Sequence, residues 1–144
     1  MKYPTIVVLA LLFCGCTAVN VRPVTAEYQI KEVLIRENPK ISIHDFLDVL
    51  IDGFERHGIV AKIVSDSTDP KDAYIVTYVA YRKWDMAPYL ARATINILKD
   101  GRRIAQAEYH LRGGGGFSLM KWQGTKTKMD PVIDELLKGI SPKG

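Results

Sequence analysis

The sequence predicts an α+β domain: a mostly antiparallel sheet of about five strands with two helices on one face, in the order β-α-β-β-β-β-α. Three observations carry this. Apolar residues recur at helical spacing in two separated stretches, Ile43 to Phe54 and Val132 to Ile140. Between them Ala73 to Trp84 is dense in tyrosine, valine, isoleucine and threonine, the residue types that fit a pleated, half-buried surface. Two further strand-like stretches, Ala87 to Leu98 and Arg103 to Leu111, flank Lys99-Asp100-Gly101, a hairpin signal.

The amino-terminal residues stand outside this pattern. Met1-Lys2-Tyr3-Pro4 carries one positive side chain, and Ile6 to Phe13 is an unbroken apolar run that ends in cysteine and glycine. A membrane span needs ~20 apolar residues, and this run is far shorter. Its proportions are those of a signal-peptide core leading to small residues at a cleavage site, so residues 1–15 read as an export signal. Val19 to Thr25, with Asn20, Arg22 and Pro23, has no clear periodicity and reads as a tether. Residues 16–26 are therefore expected to be a cysteine and its tether, and 27–144 a single domain.

The elements of that domain follow in order. Glu27 to Arg36 suits a first strand, ended by Pro39. Ser42 opens a helix with Asp45 as capping partner three residues on; Ile43, Phe46, Leu47, Leu50 and Phe54 form its apolar face, and Gly58 follows its last turn. Ile59 to Val64 is a short strand and residues 66–72 a polar loop. In the hairpin, a two-residue Asp100-Gly101 loop would pair Ile95 with Gln106 and mix core with solvent faces. A three-residue loop with Gly101 in a left-handed bulge instead pairs Ile95 with Ala105, Ala93 with Ala107 and Ala91 with Tyr109, and this is the register expected. Residues 113–116 are all glycine and break the pattern, and 117–128 is a loop or short helix. Asp130 caps the last helix, Pro131 sits in its first turn, and Val132, Ile133, Leu136, Leu137 and Ile140 supply its stripe.

Composition narrows the functional classes. A length of 144 residues suits one domain, and 47% apolar with 25% charged residues is ordinary for a globular chain. The net charge of +4 falls to +3 without Lys2, and basic residues are scattered among acidic ones, which speaks against nucleic-acid binding. Both cysteines, Cys14 and Cys16, precede the domain. The domain is left without a disulfide, a cysteine nucleophile or a thiolate metal site.

The remaining chemistry-bearing residues point to no catalytic constellation, metal or cofactor. His44, His57 and His110 lie far apart, without a second ligand at a metal-binding spacing, and read as surface or cap histidines. Asp45, Asp48, Asp52 and Glu55 form a stripe opposite Phe46, Leu50 and Phe54, as a solvated helix face does. The acidic loop at 66–72 lacks the glycine and glutamate of an EF-hand, the glycine run after Arg112 lacks the ending of a P-loop, and Ser118 lacks a nucleophile elbow. Trp84, Tyr89, Phe117 and Trp122 fall at strand ends and before the last helix, where aromatic residues close cores. Beside lysines such as Lys83, Lys121 and Lys126 they are also the residue types of interfaces, suited to protein, headgroups or glycan. Trp84, Tyr89, Phe117, Lys121 and Trp122 are the candidate interaction patch.

On the run to Phe13, Gly15 and Cys16, the amino terminus resembles the bacterial lipoprotein signal, in which a leucine-rich core leads through a small residue into a lipidated cysteine. The resemblance implies lipid on Cys16 and cleavage after Gly15. In such lipoproteins an aspartate after the cysteine favours the inner membrane; Thr17 and Ala18 here imply the outer membrane. With Ala73 to Tyr78, the hairpin from Ala93 to Tyr109, and Met120-Lys121-Trp122 before the last helix, the chain resembles small Gram-negative envelope lipoproteins. These include uncharacterised families and accessory lipoproteins of envelope machines, such as activators of peptidoglycan synthases. The expectation is a non-enzymatic module facing the periplasm, anchored to the membrane through Cys16 and binding an envelope protein through its sheet or the loop from Arg112 to Trp122. A carrier or sensor of a small or lipidic ligand is the alternative. An enzyme acting on envelope glycan or lipid, using Glu108, His110 or an aspartate in a cleft, comes third.

Overall fold

A computed structural model describes residues 17–41, 43–65, 67, 70–112 and 119–140. Within them lie β1 (Thr17–Arg22), β2 (Glu32–Arg36), α1 (Phe46–Arg56), β3 (Val60–Val64), β4 (Tyr74–Asp85), β5 (Ala87–Lys99) and β6 (Arg102–Leu111). A 3-10 turn, Leu119–Trp122, then leads into α2 (Thr125–Leu137). The strands form one sheet in the order β1-β6-β5-β4-β2-β3. The α+β class holds, with six described strands in a mixed sheet rather than about five in a mostly antiparallel one. The four strands β4, β5, β6 and β1 are antiparallel. β3 runs parallel to β2 because α1 carries the chain back along the sheet before β3 begins, and β4, on the other side of β2, is parallel to it as well.

Both helices pack on one face. Val33, Ile35, Val76, Tyr78, Ala93, Ile95, Ile97, Ala105 and Ala107 from the sheet share a core cluster with Phe46, Leu50 and Phe54 of α1 and Met129, Val132, Ile133, Leu136 and Leu137 of α2. Each large side chain buried there contributes ~1.5–3 kcal/mol. The Phe46 ring stacks on Tyr78 at 5.5 Å between centroids. α1 and α2 approach closely at Gly53, where a Cβ would lie 2.7 Å from Ile133 Cγ2.

Four expectations change. Residues 17–22, read as tether, form edge strand β1, paired antiparallel with β6 from Thr17↔Leu111 to Arg22↔Gln106. Val19 and Val21 share the helix-facing side with Tyr109 and Ala107, an alternation too short to stand out beside polar neighbours. The first strand begins at Glu32 and α1 at Phe46, with Asp45 at the N-cap. Asp45 makes no side-chain capping bond; its carboxylate instead accepts the Thr125 hydroxyl of α2 at 3.0 Å, and Ser42 lies outside the described residues. The β5–β6 turn is the two-residue Asp100-Gly101, both at positive φ (49° and 73°), as a type I′ hairpin requires. A bulge at Ile104 then restores facing, so Ile97 pairs with Ala105, Ile95 with Ala107 and Ala93 with Tyr109. Side-chain facing is thus as expected while the register is two residues away, since one inserted residue corrects the parity that a longer loop was expected to correct. Finally, α2 starts at Thr125, five residues before Asp130, with Pro131 inside it. Thr125, Lys128 and Met129 extend the buried stripe of Val132, Ile133 and Leu136, and that burial outweighs the one amide hydrogen Pro131 lacks.

Candidate interaction surfaces

The expected patch divides into an internal brace and an external tip at one end of the β4–β5 hairpin. Tyr89 and Lys121 are buried. The Lys121 ammonium sits 4.5 Å from the Trp122 ring centroid and 5.9 Å from that of Tyr89, and pairs with the Asp85 carboxylate. The Trp122 indole Nε1 donates to the Asp85 carbonyl at 2.9 Å. Lys128, which sequence reading passed over, lies 5.6 Å from the Tyr89 ring centroid and donates to the carbonyls of Leu90, at 3.2 Å, and of Lys121. Desolvation pulls its amine below the ordinary lysine range. Its position on the apolar stripe of α2, four residues before Val132, is the signal that marks it. The turn before α2 is thereby fastened to the hairpin through Asp85, Tyr89 and Leu90.

Beyond the brace the hairpin is open to solvent. Every residue of β4 from Tyr81 to Asp85 is exposed, as are Met86 and Pro88. Trp84 is 75% exposed and Met86 82%, against 36% for Trp122. Met86 holds φ at 60°, a conformation glycine adopts without strain and methionine does not. Phe117, Cys16 and the glycines 113–116 lie outside the described residues.

A second surface is the sheet face turned away from the helices. Cross-strand pairing lays out one row, Asn20–Glu108–Thr94–Val79, and beside it another, Ala18–His110–Arg92–Tyr81. Arg92 and Glu108 share this side, Arg92 pairing with His110 and Glu108 with Thr94. Glu108, His110, Arg92, Asn20 and Tyr81 are exposed along the rows, and the face holds a shallow depression of about 780 Å³. Among the described residues no helix lies over it. Its polar side chains come from alternate positions of four strands, with the charged ones on β5 and β6, a set that only the strand order brings together. On the helix side, a smaller apolar notch of about 260 Å³ opens between β1 and α2, lined by Val19, Tyr109, Pro131 and Val132 among others.

On the acidic stripe of α1, Asp45, Asp48 and Glu55 are exposed as expected, while half-exposed Asp52 enters an ion network with α2. Arg56 bridges Asp52 at 3.2 Å, Asp130 at 3.2 Å and Asp134 at 2.9 Å, while Lys126 pairs with Asp52 and, at 2.9 Å, with Asp130. The hydrogen bond from Lys126, foremost, holds the Asp52 carboxyl below its ordinary range against the opposing effect of desolvation. The network joins α1 to α2. His57 sits at the C-cap of α1, with Nδ1 2.8 Å from the Gly53 carbonyl. Among the described residues there is no cluster of histidines and carboxylates that would hold a metal ion, and no helix long and apolar enough to cross a membrane.

No family model matches the chain, and no curated protein matches it. Among solved structures it is similar to a dodecamer of PelC, carrying one substitution, from Paraburkholderia phytofirmans. The alignment covers 89% of this chain and 99% of that one, with a TM-score of 0.53 and 10% sequence identity. At that identity the likeness is one of fold.

Proposed function

We propose that this protein is an exported lipoprotein, anchored to the outer membrane through lipid on Cys16, whose periplasmic domain is a non-enzymatic binding module for a protein of the cell envelope. The observation that supports it best is the sheet face that no described helix covers. Its rows offer Arg92, Glu108, His110, Asn20 and Tyr81 on a rigid four-strand platform, which favours recognition of a polar partner surface over enclosure of a small substrate. The comparison adds that this fold serves in a protein built into a dodecamer, so the architecture is compatible with work inside an assembly. A photo-crosslinking residue at Thr94 in growing cells tests this. A discrete adduct that disappears when Arg92→Glu and Glu108→Arg are combined is the expected result; no adduct from Thr94 or from Asn20 overturns it. Metabolic labelling with a fatty-acid analogue tests the anchor separately, with label expected in the wild type and in Cys14→Ser and lost in Cys16→Ser.

The alternative, a carrier of a lipidic ligand, draws on the notch between β1 and α2. Ligand pockets generally enclose about 300–1,000 Å³, and this notch of about 260 Å³ is smaller and open. Native mass spectrometry that finds only the apo protein removes that reading.

A further inference from the structure

We infer that the tip of the β4–β5 hairpin inserts into the interface of the membrane from which the domain hangs, as a second contact beside the lipid; the inference rests on the reading of Cys16 as the anchor. Topology places the tip and Thr17, the first described residue after Cys16, at one end of the sheet. β1 begins where β6 ends, with Thr17 opposite Leu111, and the adjoining row runs Ala18–His110–Arg92–Tyr81. From that row β4 continues outward through Arg82, Lys83, Trp84 and Asp85 before turning at Met86. Four residues of strand at about 3.3 Å each carry the tip roughly 13 Å beyond the row, while Thr17 lies one residue beyond it. Thr17, where β1 begins, thus lies at the end of the sheet toward which the hairpin points.

The chemistry of the tip selects a lipid surface. Trp84, Met86 and Pro88 put apolar side chains at the far end, and Tyr81, Arg82 and Lys83 form an aromatic and basic collar just behind them. Tryptophan and tyrosine settle at headgroup level, and basic side chains there meet anionic headgroups. The one acidic residue of the tip, Asp85, is paired with Lys121. Lys121 and Trp122 hold Asp85 to the body of the domain, while Trp84 beside it is exposed. Exposed apolar groups on a braced arm, rather than within the core, are what insertion requires and a solvated loop does not.

Tryptophan quenching in proteoliposomes tests this on the full-length chain, reconstituted in phosphatidylethanolamine and phosphatidylglycerol with brominated acyl chains. The emission of Trp84 is taken as the difference between wild type and Trp84→Phe, an exposed substitution that leaves the core intact. Expected is quenching of that component by the brominated lipid, shielding from aqueous iodide, and loss of the lipid-quenched component in Trp84→Phe. Quenching by iodide and not by brominated lipid overturns the inference. Fatty-acid labelling of Cys16, done in parallel, separates the two claims: labelled protein with Trp84 in water leaves the anchor standing and refutes insertion, whereas lipid-quenched Trp84 without label refutes the anchor and leaves the insertion.

Discussion

Gly139→Ala should release the amino-terminal strand from the helix that holds it. Val24, directly after β1, is 1% exposed, and its amide donates to the Leu136 carbonyl at 2.9 Å. Gly139 closes over this contact: a Cβ there would lie 2.0 Å from the Val24 carbonyl oxygen. The obstacle is backbone, so no rotamer relieves it. Relaxation must move the Val24 segment, sacrificing a hydrogen bond of about 1 kcal/mol and part of a valine burial of about 1.5–3 kcal/mol, or shift the end of α2 at an overpacking cost of about 1–3 kcal/mol. Either route destabilises by about 1–3 kcal/mol. For a domain of this size that is a fall of roughly 3–15 °C in Tm. Urea unfolding of Gly139→Ala, beside Gly124→Ala, where a Cβ meets nothing within 4 Å, measures it. A Gly139→Ala midpoint within error of the Gly124→Ala midpoint would refute the packing described around Val24.

The brace at the hairpin makes an asymmetric prediction: Asp85→Ala leaves the buried Lys121 charge without its carboxylate and costs about 1–2 kcal/mol, whereas Lys121→Met removes the charge itself and costs less, as paired denaturation curves will show. The interhelical ion network predicts a pH dependence. Because the native Asp52 carboxyl titrates below its unfolded value, its contribution is present at neutral pH and lost as pH falls through the native pKa, so the stability deficit of Asp52→Asn should shrink as the solution is acidified below the ordinary carboxylate range. A deficit constant through that acidification would show that Asp52 gains nothing from Lys126. In the β5–β6 turn, Gly101→Ala should cost about 1–2 kcal/mol because φ is 73°, while Asp100→Gly should be tolerated; equal losses in the two thermal melts would contradict the type I′ turn.

The sequence by itself determined the α+β class, the two helices with their apolar stripes, the long strand from Tyr74 and which face each residue of the β5–β6 hairpin presents. These are local: each follows from a period of 2 or 3.6 residues, which burial on one face imposes on neighbours in the chain. It also pointed to Trp84 and Trp122 as residues of interest. What only the tertiary structure decided depends on partners distant in sequence. β1 is a strand because β6, some ninety residues later, offers it an edge, and no pattern within 17–22 announces that partner. The hairpin register depends on a bulge at Ile104, and α2 begins at Thr125 because α1 and the sheet bury its first turn. The patch divided for the same reason. Tyr89, Lys121 and Lys128 lie inside because a hairpin and a turn far apart in the chain close on one another, while Trp84 and Met86 extend beyond the described residues that could cover them.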